Sequence, residues 1–164
     1  AMLTEEIGLT LVTAGVGLAV IQVAGVIGRI GWGAVADRIG SARRTMLATQ
    51  LISIAAAVAT AMLVPGTPVA VIFGVLFLFG MSAVGWNGVF MAEVARLAPE
   101  GRIGSATGGV LVPVFIGVMI GPMLLTGVHE LLGSYTLALL VISGLTAISI
   151  LPMMVIGRTA PKNP

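Results

Sequence analysis

The sequence predicts an all-α fold, a polytopic transmembrane bundle of five membrane-spanning helices. Its 164 residues are 58% hydrophobic and only 9% charged, whereas soluble domains carry about 25% charged residues. The mean hydropathy is +1.16. The apolar residues fall into five runs, each near the roughly 20 residues that cross a hydrocarbon core of about 30 Å. Because backbone groups cannot stay unpaired in lipid, and no run alternates polar with apolar residues, each run is expected to be a helix.

The composition also excludes several functions. The sequence has no cysteine and one histidine, His129, so disulfides, thiolate metal sites and a structural zinc site are not expected. No cluster of histidine and acidic residues suited to catalysis is present, so neither an enzyme nor a bound cofactor is predicted. The pI near 10.0 rests on a net charge of only +2. No basic patch interleaved with aromatic residues accompanies it, so the expected partner is the lipid bilayer and not nucleic acid.

We expect a single transmembrane domain over residues 1–164. The spans are predicted at 8–35, 45–64, 68–92, 104–128 and 134–156. The stretch from Gly28 to Arg44 holds four of the eight basic residues and predicts a charged turn between the first two spans. The amino terminus has no basic region before its apolar run, so that run is not expected to be a signal peptide. A start on Ala1 suggests a piece of a longer chain.

The distribution of basic residues predicts the orientation. If the five spans alternate in direction, all eight Lys and Arg residues lie on one side: Arg29, Arg38, Arg43, Arg44, Arg96, Arg102, Arg158 and Lys162. The other side carries Glu5, Glu6 and Glu130 but no basic residue. Cytoplasmic loops are enriched in Lys and Arg. The carboxyl terminus is therefore expected in the cytoplasm and the amino terminus outside.

Polar residues at membrane depth give the candidate substrate cavity. No ionisable residue lies at the middle of a predicted span, which argues against an ion relay within these residues. Gln22 and Asn87 are the larger polar side chains at depth, and Trp86 is beside Asn87. These three residues are candidates for a cavity that contacts substrate. The alternative is that Gln22 and Asn87 form hydrogen bonds between helices and that Trp86 packs against a neighbour.

The fourth span combines glycines with prolines. Gly109, Pro113, Gly117 and Gly121 recur at every fourth position, and Gly108 precedes them. Small residues at this spacing let helices approach closely in lipid. Pro113 and Pro122 each remove a backbone donor, which usually kinks a helix. The span is predicted to pack closely and to bend. The alternative is that the glycines only pack helices together, as they do in static bundles.

The charged turn carries a recognisable motif. The pattern Gly33-x-x-x-Asp37-Arg38-x-Gly40, followed by Arg43 and Arg44, resembles the cytoplasmic loop motif of the major facilitator superfamily, the twelve-helix secondary transporters. Two further stretches, from Trp86 to Pro99 and from Gly117 to Tyr135, look like helices ten to twelve of bacterial members. The Gly108, Gly117, Gly121-Pro122 spacing is also similar to that family's helix-five antiporter motif, but Leu125-Thr126 replaces its closing glycine pair. The resemblance therefore favours helices eight to twelve over helices two to six.

The resemblance implies an alternating-access carrier of a small solute in a bacterial inner membrane. A preceding six-helix half and the first helix of this half would then be the missing partners. The motif loop is expected to control gating, with Asp37 capping a helix amino terminus, and with Arg29 and Arg38 pairing with Glu93 near the headgroup level. Alternatively, Arg43 and Arg44 only anchor the chain to anionic lipid. A scaffold or subunit that pairs with a partner without transporting anything is the rival function, and the sequence does not identify a substrate.

Overall fold

The bundle is built from antiparallel helices joined by short connections. The computed structural model describes residues 2–148 and 150, and within them it contains seven helices and no strand. They are α1 (Met2–Glu5), α2 (Leu11–Ile39), α3 (Ala42–Ala61), α4 (Val69–Ala83), α5 (Trp86–Leu97), α6 (Ile103–Leu132) and α7 (Tyr135–Ile148). The predicted all-α transmembrane bundle is confirmed.

Within the described residues, four stretches are long and apolar enough to cross a membrane. They are α2, α3, the α4–α5 stretch Val69–Leu97, and α6. The fifth apolar helix, α7, is shorter within the described residues. The predicted fifth span continues over 149 and 151–156, which lie outside the described residues, as do Arg158 and Lys162.

The helix α2 extends beyond the first predicted span. The sequence places the end of that span at residue 35, but α2 continues through Asp37 and Arg38 to Ile39. Charged residues end the apolar stretch without ending the helix, because they leave its backbone hydrogen bonds intact. The helix ends at Gly40, whose φ of 64° is the left-handed conformation that glycine adopts at low cost. Ser41 then accepts a hydrogen bond from Arg44 N–H at 3.3 Å and caps α3.

The charged turn is therefore only two residues long, and it defines one end of the bundle. We call the end that holds the α2–α3 and α5–α6 connections the basic end, because five arginines lie there: Arg38, Arg43, Arg44, Arg96 and Arg102. The connections at the opposite end are Met62 to Pro68 and the pair Gly133-Ser134.

The packing centres on α4. This helix contacts α2 and α3, and α3 also contacts α7. The largest fully buried side chains are small for a protein core: Ile72, Val89, Thr45, Thr49 and Ser82. Such side chains let helices approach closely in lipid, where apolar burial gives no advantage. By contrast, α6 contacts only α5 and α7 among the stronger helix pairs and has no buried residue.

Candidate functional site

The stretch from Val69 to Leu97 is interrupted at its middle. Helix α4 ends at Ala83 and α5 begins at Trp86, with Val84 and Gly85 between them. The interruption releases carbonyl groups that a continuous helix would pair. The carbonyl of Met81 accepts a hydrogen bond from Trp32 Nε1 on α2 at 2.8 Å. The indole N–H of Trp32, 49 residues away in the chain, therefore pairs with a carbonyl of the interrupted helix.

Glycines hold α2 against the interruption. A Cβ on Gly28 would collide with the Met81 carbonyl, and one on Gly80 would collide with the backbone of Ile21. Gly25 would place a Cβ 2.6 Å from Val84 Cγ1, and Gly88 would place one 2.5 Å from the Arg29 carbonyl oxygen. The backbone of α2 therefore contacts the backbone of the α4–α5 stretch at this crossing. A residue larger than glycine at these positions would require one of the helices to shift.

Not every small residue of α2 takes part in this packing. Gly17, Ala24 and Gly28 are buried. Gly31 is exposed, and no atom lies within 4 Å of the position that a Cβ would occupy on it, so it does not take part.

A cavity of about 650 Å³ lies beside the interruption, between α2, α5 and α6. We call it the arginine cavity. Its polar lining residues are Gln22, Arg29 and Asn87, and Trp86 lies beside them. The structure thus brings together Gln22, Trp86 and Asn87, the three predicted cavity residues, although their contact with a substrate stays a prediction. The volume is within the range of about 300–1,000 Å³ that small-molecule sites occupy.

Arg29 lines the arginine cavity, whereas the sequence predicts it near the headgroup level, in an ion pair with Glu93. In the structure Glu93 instead binds Arg96 on the same helix, with nitrogen–oxygen distances of 2.7 and 2.8 Å. The sequence does contain a signal for the cavity position, because Arg29 follows Gln22 by seven residues. Two turns of helix bring such residues to the same face.

The residues of the loop motif lie at the basic end. Gly40 provides the left-handed turn, and Gly33, Asp37 and Arg38 belong to the last two turns of α2. Arg43 and Arg44 are in the first turn of α3. Helix α6 begins without a side-chain cap hydrogen bond, so Asp37 does not cap it in this structure. The gating role of these residues stays a prediction.

The fourth-span motif lies on α6. Pro113 and Pro122 are inside this helix, which continues through both. The glycines of the motif, Gly108, Gly117 and Gly121, have open space where a side chain would be. Among the described residues, no helix uses them for close approach. The neighbouring α6 residues Phe115 and Val118 line the arginine cavity.

A second cavity of about 620 Å³ separates α3, α4, α5 and α7. Most hydroxyl groups on its wall bond to carbonyls of their own helix, as Thr49 does to Met46 O and Ser143 to Leu139 O. Gln50 donates to Thr146 O at 3.3 Å and so joins α3 to α7. These hydrogen bonds are structural. The wall of this cavity therefore has fewer polar groups ready for a solute than its sequence suggests.

The opposite end of the bundle is joined by a carboxylate. Glu6 accepts hydrogen bonds from Tyr135 N–H at 2.6 Å, Ser134 Oγ at 3.1 Å and Thr136 Oγ1 at 3.2 Å, at the start of α7. Partial desolvation raises the pKa of Glu6, but the hydrogen bonds from Tyr135, Ser134 and Thr136 outweigh it and hold the pKa below its ordinary value of 4.5. Glu6, in the first segment of the chain, thus caps α7, the last described helix.

No metal centre is formed by the described part of the chain, in which no group of three histidine, cysteine or acidic residues is close enough to hold an ion.

Helices of this length and apolar composition are those of an integral membrane protein. The chain matches the family model of the Major Facilitator Superfamily over residues 1–164. It therefore belongs to the major facilitator superfamily, a superfamily of membrane transporters. No curated protein and no solved structure matches the chain.

Proposed function

We propose that this chain is part of a secondary carrier that moves a small solute across the membrane through the arginine cavity. The proposal rests on the cavity itself, which is lined by Gln22, Trp86 and Asn87 and lies beside an interrupted helix. Carriers of many families bind their solute near the membrane midplane, next to interrupted helices and between two structural repeats that rock against each other.

A second half is proposed to cover α6. This helix has no buried residue, and Met119 and Met123 are 74% and 73% exposed. Its open glycines are suited to the close approach of another membrane helix, because they leave the backbone accessible. The occupant that the resemblance implies is a six-helix amino-terminal half, together with one further helix of this half. The arginine cavity would then lie between the two halves.

The proposed orientation has the basic end in the cytoplasm. Arg38, Arg43, Arg44, Arg96 and Arg102 support it, because cytoplasmic ends of membrane proteins are enriched in basic residues. The end that carries Glu6 would face the outside of a bacterial inner membrane. With this orientation the motif of Gly33, Asp37 and Arg38 is at the cytoplasmic gate.

The test uses cysteine accessibility and needs no knowledge of the solute. Val118 lies at the middle of α6 and lines the arginine cavity, and the 164 residues contain no native cysteine. In the complete carrier, otherwise free of cysteine, Val118→Cys should react with a membrane-impermeant maleimide added from either face. The reason is that an alternating-access cavity opens to each side in turn.

Two control variants calibrate the assay. Glu100→Cys at the basic end should react only from the cytoplasmic face, and Leu131→Cys only from the outer face. Reaction of Val118→Cys from one face alone contradicts alternating access and favours the non-transporting scaffold. Reaction of Glu100→Cys from outside overturns the orientation.

A further inference from the structure

We propose that the arginine cavity selects an organic anion with a single carboxylate and an apolar body, and that Arg29 binds the carboxylate. The inference deepens the proposed function and rests on it for the passage of this anion across the membrane. The binding of the anion is inferred from the position of Arg29 and from the chemistry of the residues on the cavity wall.

Arg29 lies well inside a membrane-spanning helix. It precedes the end of α2 at Ile39 by ten residues, which is about 15 Å of helix. Its backbone lies against Gly88, which precedes the end of α5 at Leu97 by nine residues. Charged residues first appear eight residues past Arg29 on α2, at Asp37, and five residues past Gly88 on α5, at Glu93. Arg29 therefore lies about 8–12 Å further inside the bundle than these charged residues. An arginine at such depth is costly and is found facing a bundle interior or a water-filled cavity, where it pairs with an opposite charge.

No described residue supplies that opposite charge. Within residues 2–148, no carboxylate lies within 4.0 Å of the Arg29 side chain. Glu93, the ion-pair partner that the sequence predicts for Arg29, is bound to Arg96. The described lining of the cavity contains no Asp or Glu. A solute with a negative charge would gain a charge-assisted hydrogen bond there, and a cation would be repelled.

The remaining wall sets the size and polarity of the solute. Gln22 and Asn87 add neutral hydrogen-bonding groups, whereas Val84, Leu111, Phe115 and Val118 are apolar. Arg29 is the one charged residue on the described part of the wall, and its single positive charge balances one negative charge. A dianion would bring a second, uncompensated charge into an apolar cavity, which is costly. The wall therefore fits a monocarboxylate with an aliphatic or aromatic body.

The experiment measures protection of a cavity cysteine and does not depend on transport. The complete carrier with Val118→Cys is purified in a neutral detergent, and the rate of maleimide reaction is measured with benzoate or hexanoate. The neutral amides benzamide and hexanamide, which match these acids in size, are the solute controls. Benzoate and hexanoate should slow the reaction, and the amides should do so at least about tenfold less effectively, because they lack the charge that Arg29 binds.

Variants assign the effect to Arg29. Arg29→Gln should abolish the difference between acid and amide, and Arg29→Lys should retain part of it because the charge remains. Arg102→Gln removes one positive charge at the basic end, and the acids should protect Val118→Cys in this variant as they do in the parent. Equal protection by acids and amides, or full protection by acids in Arg29→Gln, would overturn the proposal.

A lipid headgroup is the other source of an anionic oxygen. The same measurement in nanodiscs of phosphatidylcholine, with and without phosphatidylglycerol, separates the two sources. If phosphatidylglycerol protects Val118→Cys as well as benzoate does, the site binds lipid and the solute proposal is wrong. If the acids do not protect Val118→Cys but this cysteine still reacts from both faces of the membrane, only the anion assignment is overturned. If the acids protect it but it reacts from one face alone, only the transport proposal is overturned.

Discussion

Asp37 is placed unfavourably for its own helix. It lies in the last turn of α2, where the helix dipole presents partial negative charge and favours cations. Its carboxylate therefore does not explain the stability of α2, and we expect Asp37 to act in a second arrangement of the proposed gate. In that arrangement Asp37 would cap a neighbouring helix amino terminus, a contact worth about 0.3–1 kcal/mol and up to ~2 kcal/mol when partly buried.

Asp37→Asn tests this role. We expect it to leave insertion and the unfolding temperature unchanged but to lower the transport rate about fivefold, since 1 kcal/mol shifts a two-state equilibrium by that factor. Cysteine accessibility should show more of the cytoplasm-open state. Asp37→Glu should retain part of the activity, and Glu100→Gln, an exposed carboxylate outside the motif, is the matched control. Transport at the parental rate with unchanged accessibility would reduce the motif to a topology signal.

Single residues also show where sequence reasoning stops. Gln22, Trp86 and Asn87 can be grouped from the sequence because a large polar side chain at membrane depth is costly and so conspicuous. The sequence places Arg29 in the headgroup region because it predicts the end of the first span at residue 35, four residues before α2 ends. The role of Trp32 has no local signal. Its hydrogen bond goes to a carbonyl 49 residues away, and that carbonyl is free only because another helix is interrupted.

At the scale of helices, hydropathy and helix length measure different things. Hydropathy finds the part of a helix that transfers into lipid, whereas Gly40 and Ser41 determine where α2 ends and α3 begins. The prolines of α6 predict a bend there. The helix continues through both prolines, which a bent helix can also do, so the bend stays a prediction. The described interruption falls at Val84 and Gly85, where the sequence has no proline. The tight contact with α2 and the Trp32 donor stabilise that interruption, and neither is local in sequence.

The contact between α2 and the interrupted stretch yields a prediction with a control on the same helix. Gly28→Ala would drive its Cβ into the Met81 carbonyl, whereas Gly31→Ala meets no atom within 4 Å. We expect Gly28→Ala to lower the free energy of unfolding by about 1–3 kcal/mol, the usual cost of overpacking. Gly31→Ala should be neutral or slightly stabilising, since alanine favours helix.

The measurement is the thermal or denaturant midpoint of both variants in the same detergent. Because the contact also positions the Trp32 hydrogen bond, the tryptophan emission should shift in Gly28→Ala and not in Gly31→Ala. Equal stability of the two variants would show that α2 and α4 are not in backbone contact.

At the scale of the whole molecule, Glu6 joins the first segment to the last described helix. Its carboxylate accepts hydrogen bonds from Ser134, Tyr135 and Thr136, and these are strongest when the carboxylate is charged. The folded pKa is below the ordinary value of 4.5. The stabilisation is therefore fully present above pH 4.5 and is lost as the pH falls through the lower, folded pKa.

Glu6→Gln should therefore destabilise the protein at neutral pH and have little effect in acid. A partly exposed cap of this kind is worth about 1 kcal/mol, which lowers the melting temperature by roughly 2–4 °C for a chain of this size. The difference from the parent should shrink as the pH falls below 4.5 and through the lower, folded pKa of Glu6. Glu5→Gln, one residue away and exposed, is the matched control and should melt like the parent at neutral pH. A difference that persists unchanged in acid would show that the charge of Glu6 is not what joins the two segments.

The same contact orders events during biosynthesis. Glu6 and Ser134 are separated by 128 positions, and ribosomes add about 5–20 residues per second. Glu6 therefore leaves the ribosome roughly 6–26 s before its first partner on α7 does. Throughout that interval the newly inserted helices sit in the membrane without this closure. A pause in translation shortly before Ser134 extends the period in which the half-made bundle is exposed to chaperones and proteases.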